Sequence, residues 1–303
     1  MRYLILSSSC LFLAFNSLVQ GNEALSFEVQ QSTGQFQNVE KVSSRKISPY
    51  VKRTLKLMKR NQIKDLKAYL NREEVQKDPQ MQTLIGSLYH DGIMFEKNYS
   101  KAAMWMERAA LQGDAQAQSQ LAALYFQGQG LEKSEEKGMY WLSKALAQND
   151  KIALQILGQK YYLGDGVPQN DQKAFELFEQ STDKGDLRGQ YQLGMMYLQG
   201  RGTKQNFSKA FTLIKKSADA GIKEAQFDLG VMYLNGEGIK RDKPLGATYI
   251  ELAANQGLDI AQYTLGMIYL SLGNPNFTCH WLEKAAAQGN QAAQLELQKL
   301  RER

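Results

Sequence analysis

From Pro79 onward the apolar residues return at a fixed period. Five stretches of 36 residues, 79–114, 115–150, 151–186, 187–222 and 223–258, lie over one another, and a sixth, 259–290, is shortened to 32. Position 7 of the unit is aliphatic throughout, as Ile85, Leu121, Leu157, Leu193, Leu229 and Leu265. Position 8 is Gly86, Ala122, Gly158, Gly194, Gly230 and Gly266, and position 11 is always tyrosine: Tyr89, Tyr125, Tyr161, Tyr197, Tyr233 and Tyr269. A period of this length marks stacked supersecondary units, none of which covers its own apolar face alone.

Positions 3, 7 and 11 share one face of a helix, so the first thirteen residues of each unit are predicted to form an amphipathic helix A. Gly or Ala at position 8 admits a second helix at close range. Helix A is expected to end at Gly92, Gly128, Gly164, Gly200 and Gly236, because a helix terminus favours a residue that tolerates the left-handed conformation. A second glycine, at Gly130, Gly166, Gly202 and Gly238, shortens the link, whereas Met94 holds that column in the first unit. Helix B opens at position 20, where Asn98, Ser134, Asn170, Asn206, Asp242 and Asn274 are all favoured N-caps. It continues with Lys-Ala pairs (Lys101-Ala102, Lys173-Ala174, Lys209-Ala210), a large residue such as Trp105, Trp141 or Trp281, and Ala109, Ala145, Ala253 and Ala285 at position 31.

The flanking segments complete the array. Ser48-Pro49 starts a helix running to about Lys59, and a second, roughly 62–71, brings Leu66 and Leu70 to one side, so that 48–78 forms a helical cap over the first unit. Residues 291–303 form one closing helix, with Gln298 and Arg301 in columns that are apolar or aromatic elsewhere, as a solvated end requires.

These columns resemble the Sel-1-like repeat, a branch of the tetratricopeptide superfamily. The likeness is carried by Ala225-Gln226-Phe227-Asp228-Leu229-Gly230-Val231-Met232-Tyr233, by Gly164-Asp165-Gly166-Val167 and by the Lys-Ala and Ala-Ala pairs of helix B, and it covers 79–303. It implies an all-α fold, a right-handed superhelical solenoid of antiparallel helix pairs. Members of the family typically act as binding scaffolds, so it also implies a protein partner. In that superfamily helix A positions 2, 5, 9 and 12 line the concave face. Here positions 5 and 9 give Thr83, Ser119 and Gln155 with Ser87, Ala123 and Gln159 in the first half, then Tyr191, Phe227 and Tyr263 with Met195, Val231 and Met267 in the second. Aromatic residues and methionine suit an interface, which makes the latter six the expected protein-binding residues. The alternative is that position 5 packs against the adjacent repeat, and periodicity does not separate the two.

Charge adds a second candidate. Residues 40–78 hold twelve Lys/Arg and five Asp/Glu, whereas 79–303 hold 24 of each sign. Lys52, Arg53, Lys56, Lys59, Arg60 and Lys64 are the expected patch for an anionic partner, against the plainer reading of a solvated helix face. Nucleic acid is not expected as a partner.

Residues 1–21 form a short positive start, an apolar stretch and small residues at Val19-Gln20-Gly21, which predicts a signal peptide cleaved after Gly21. Residues 22–47, rich in Gln, Ser, Asn and Glu, are expected to form a flexible polar tether. The mature chain is therefore expected to be exported, periplasmic or secreted, without a transmembrane segment.

Reaction chemistry is poorly supplied. Two cysteines and two histidines exclude a disulfide framework and a four-ligand zinc site, and no cofactor or metal is expected. Cys279 and His280 are neighbours on one helix, pointing about 100° apart. Some cysteine-rich relatives of the repeat family are linked to β-lactam hydrolysis, but their paired cysteines are missing, which leaves a cell-wall or β-lactam hydrolase as a distant alternative. The expectation is a binding scaffold rather than an enzyme, serving the cell envelope or, as a virulence factor, engaging a host protein.

Overall fold

A computed structural model describes residues 47–59, 63–92 and 95–302; the signal-peptide and tether expectations, with Arg60 and Met94, lie outside them. The described residues form sixteen helices and no strand. Three precede the repeats: α1 (Pro49–Lys59), α2 (Ile63–Leu70) and a short α3 (Glu73–Lys77) that the sequence pattern did not reveal. Two compact units follow one another along the chain, meeting at Asp186 and Leu187.

The first unit continues with α4 (Pro79–Asp91), α5 (Tyr99–Leu111), α6 (Ala115–Gln127), α7 (Glu135–Ala147), α8 (Lys151–Leu163) and α9 (Asp171–Asp183). Leu66, Tyr69 and Leu70 of α2 join Val75, Met81, Ile85, Leu88 and Trp105 in one buried cluster beneath the N-terminal helices. A second cluster runs through α5 to α8 by way of Met106, Leu121, Leu124, Trp141 and Leu142. The second unit contains α10 (Leu187–Gln199), α11 (Phe207–Asp219), α12 (Lys223–Asn235), α13 (Lys243–Asn255), α14 (Asp259–Ser271), α15 (Pro275–Ala287) and α16 (Gln291–Arg301). Ile214, Leu229 and Met232 centre its first cluster, Ile250 and Leu265 the next, Leu282 and Leu297 the last.

The local signals explain the helix ends. Asn98, Ser134, Asn170, Asn206, Asp242 and Asn274 each accept a hydrogen bond from a backbone N–H in the first turn of helix B, and each such cap contributes about 1 kcal/mol. Helix A has caps of its own, at Asp78, Asp114, Asp150 and Asn290. The position-8 glycine makes room for the repeat's own helix B: a Cβ on Gly230 would sit 2.6 Å from Ile250 Cγ1 and 2.8 Å from the Gly246 carbonyl oxygen. The second glycine serves the preceding repeat, since a Cβ on Gly130 would fall 2.2 Å from the Tyr99 carbonyl carbon, at the start of α5.

Two kinds of fastener tie helix B to helix A. In four repeats a glutamine after helix B donates to a position-4 glutamine of helix A: Gln112 to Gln82, Gln148 to Gln118, Gln256 to Gln226 and Gln288 to Gln262, at 2.7–2.9 Å. The position-4 amide then donates in turn to the preceding helix B, as Gln118 does to the Ala110 oxygen and Gln226 to the Ala218 oxygen. Repeats 3 and 4 hold Leu154 with Lys184 and Gln190 with Ala220, so the pair is missing. There a serine replaces the position-31 alanine, and Ser181 and Ser217 donate to the Lys151 and Leu187 carbonyls at 2.8 and 2.9 Å.

Candidate functional site

Positions 5 and 9 behave differently in the two units. Thr83 and Ser119 are buried, and each hydroxyl reaches the carboxylate that caps the next helix A, Thr83 to Asp114 and Ser119 to Asp150. Ser87 is also buried, its hydroxyl 3.3 Å from Gln120 Oε1. These side chains seal one repeat to the next, so the small polar half of the stripe is interior except at Gln155, which is half-buried. Burial raises the Asp150 carboxyl above the usual aspartate range, against the lowering effect of the Ser119 hydroxyl and the Ala153 and Ile152 amides.

In the second unit all six expected binding residues are half-buried. Tyr191 and Met195 on α10 rest against the cluster centred on Ile214 and Leu229, Phe227 on α12 against that of Ile250 and Leu265, and Tyr263 on α14 against that of Leu282 and Leu297. Val231 and Met267 share the same half-exposed face of α12 and α14. Position 5 of the second unit therefore packs on the cluster beside it, as the plainer of the two readings has it, while each ring stays partly exposed.

A carboxylate sits in this stripe that sequence reasoning passed over. The Tyr191 hydroxyl donates to Asp228 Oδ2 at 2.6 Å. Burial pushes the Asp228 carboxyl up to about 6; the Tyr191 hydrogen bond works against that shift and the nearby Glu224 charge adds to it. Its signal was available, since Asp228 is an acidic residue one place after the aromatic column, but nothing local marks it as buried.

On the N-terminal helices the structure brings together part of the expected basic patch. Lys52, Arg53 and Lys56 are exposed on α1 and line a cleft of about 710 Å³ whose other wall carries Asp65, Ala68, Tyr69 and Arg72. The side chains of Lys59 and Lys64, with Arg60, lie outside the described residues. Arg72, which the sequence reading did not single out, faces the α1 cations from the turn after α2. Arg53 and Arg72 both lie over the Tyr69 ring, 5.0 and 5.6 Å from its centroid. Burial raises the Tyr69 hydroxyl pKa, and the Arg53 charge pulls the other way.

The two histidines and Cys279 differ in burial. His90 Nδ1 lies 2.7 Å from Asp91 Oδ1, with Gln129 Oε1 3.3 Å from Nε2 and the Tyr99 ring edge-on, which braces the end of α4. Cys279 is half-buried, while His280 is exposed and set edge-on to Trp281. Among the described residues no group of His, Cys, Asp and Glu is placed to hold a metal ion, and no helix is long and apolar enough to cross a membrane.

The family model for the Sel1 repeat matches residues 79–114, 115–150, 152–186, 187–222, 223–258 and 259–290. The chain belongs to the Sel1 repeat family. Among solved structures, a Sel1 repeat protein from Oxalobacter formigenes is 31% identical with a TM-score of 0.60, over 79% of this chain and 97% of that one. A protective antigen present in uropathogenic Escherichia coli strains, displaying an SLR fold, is 29% identical with a TM-score of 0.52, over 78% of this chain and 52% of its own length. No curated protein matches the chain. Its Sel1 repeats are a helical-repeat fold of the tetratricopeptide type, which serves generally as a protein-interaction scaffold and is typically non-catalytic. The Lys-Ala column of these repeats has a physical reason: Lys101, Lys137, Lys173 and Lys209 lie 4.9–5.7 Å from the centroids of the position-11 rings of Tyr89, Tyr125, Tyr161 and Tyr197. In the sixth repeat Phe277 stacks on Tyr269 instead.

Proposed function

We propose that this Sel1 repeat chain is an exported binding scaffold that holds a protein partner against the helix A face of its second unit. The carrying observation is that face itself: Tyr191, Met195, Phe227, Val231, Tyr263 and Met267 remain half-exposed in consecutive repeats, whereas of the equivalent first-unit residues Thr83, Ser87, Ser119, Ala123 and Gln159 are buried and Gln155 is half-buried. Aromatic rings fixed on one side and open on the other offer large contact area at little further entropic cost, and methionines adapt to the partner's shape. The role proposed is scaffolding or regulation in the cell envelope, with no reaction of its own.

Export rests on residues 1–21, and the partner is accordingly a periplasmic or envelope protein. The likeness to a protective antigen of uropathogenic Escherichia coli favours a second reading, in which the partner is a host protein met outside the cell. Fractionation of the source organism tests the location. A chain shortened by 21 residues in osmotic-shock fluid supports the envelope role, and the same chain in culture medium supports the host-facing role. A full-length chain confined to the cytoplasm contradicts both.

A further inference from the structure

We propose that the N-terminal cleft between α1 and α2 is a second, independent binding site, for a phosphate group carried on a lipid headgroup or on a small phosphate ester. Lys52, Arg53 and Lys56 fall within little more than one helical turn, with Lys52 and Lys56 at the i, i+4 spacing that lets both ammonium groups reach one point. Arg72 faces them from the opposite wall of the cleft. Four cations therefore converge on one cleft against a single lining carboxylate, Asp65. Lys52, Arg53 and Lys56 make no ion pair among the described residues, and Arg72 lies 4.0 Å from Glu74.

Two of the cations are also held in place. The Tyr69 ring is buried, and both guanidinium groups lie over it. A guanidinium steadied on an aromatic face keeps its forked N–H groups free for an oxyanion and loses less freedom on binding. The cleft volume lies in the range of small-molecule sites, which leaves room for a phosphate together with the first carbons of the group that carries it. An acidic peptide fits this arrangement less well: its carboxylates are spread along an extended chain at roughly 7 Å on each face, whereas these four charges line a single cleft. The inference stands on the first unit alone and does not depend on the helix A face of the second.

The test uses the full chain with three probes: inorganic pyrophosphate by calorimetry, phosphatidylcholine vesicles with and without phosphatidic acid by co-sedimentation, and an oligoglutamate peptide of matched charge. The K52Q/K56Q double variant changes two exposed side chains, and K240Q/K243Q, two exposed lysines at and just before the start of α13 in the second unit with the same change in charge, is the control. Binding to pyrophosphate or to phosphatidic acid vesicles, weakened at least tenfold in K52Q/K56Q and unchanged in K240Q/K243Q, is the expected result. Vesicle binding without pyrophosphate binding assigns the phosphate to a lipid headgroup, and pyrophosphate binding without vesicle binding assigns it to a soluble ester. Absence of both, equal weakening in the two double variants, or tighter binding of oligoglutamate than of either phosphate probe overturns the proposal.

Discussion

Tyr191 and Asp228 form a hydrogen bond between consecutive repeats, hydroxyl to carboxylate at 2.6 Å, within the half-buried helix A face of the second unit. A carboxyl whose folded pKa is raised to about 6 holds its proton more tightly in the folded chain than in the unfolded one. Its effect on stability is therefore absent below about pH 4. As pH rises through 6 the unfolded state gains, and stability is lost. The full effect is at most about 3 kcal/mol at neutral pH. Asp228→Asn, which keeps an acceptor for Tyr191, is expected to remove this loss and to stabilise the protein at pH 7 but not at pH 4. Urea denaturation of both proteins across pH 4–7 checks it; parallel curves for the two would show that Asp228 does not titrate in this window.

The glutamine pair of repeat 5 is expected to behave as one unit. Gln256→Ala removes the bond to Gln226 and another to the Gly221 oxygen, and should cost about 1–2 kcal/mol. Gln226→Ala also frees the Ala218 carbonyl and should cost at least as much. The double variant should cost less than the sum of the two, with coupling of about 0.5–1 kcal/mol. Strict additivity in a double-mutant cycle would show that the two amides do not support each other.

Lys160 is the misfit of the position-10 column, which otherwise reads Leu88, Leu124, Met196, Met232 and Ile268. It is 4% exposed, with Glu135 at 2.7 Å, Asp165 at 3.3 Å and the Phe126 ring beneath its ammonium at 4.0 Å. Desolvation consumes most of what such a pair gains, so an apolar side chain of similar length should serve as well. Lys160→Met is expected to leave the thermal midpoint unchanged or raise it, whereas Lys160→Ala, which leaves a void, should cost about 2 kcal/mol or more. A Lys160→Met variant as unstable as Lys160→Ala would show that the ion pair gains well more than its desolvation costs.

What the sequence made legible follows the range of the forces involved. The caps at Asn98 and Asn206 and the terminating glycines at Gly92 and Gly128 depend on a few adjacent residues, and they stand in the sequence as columns. Partners about thirty residues away do not show that way. Gln118 and Gln148 look like surface amides until the helices are stacked, and Thr83 looks like a groove residue until Asp114 is placed beside it. The breaks in the pattern were informative in hindsight: Ser181 and Ser217 interrupt the position-31 alanines in the repeats that lack the glutamine pair. Arg72 falls just past the second expected helix, and only the fold brings it to the cleft that Lys52, Arg53 and Lys56 line.

The central claim is that one face of the second unit engages a protein partner, and site-specific photocrosslinking reads it most directly. A benzophenone side chain placed in turn at Met195, Val231 and Met267, and for comparison at the helix B positions Thr212, Glu251 and Glu283, is activated in the source organism. The same partner band is expected from the three helix A positions and none from the three helix B positions. Identical bands from both sets, or no band from Met195, Val231 and Met267 in a correctly folded and located chain, would contradict it.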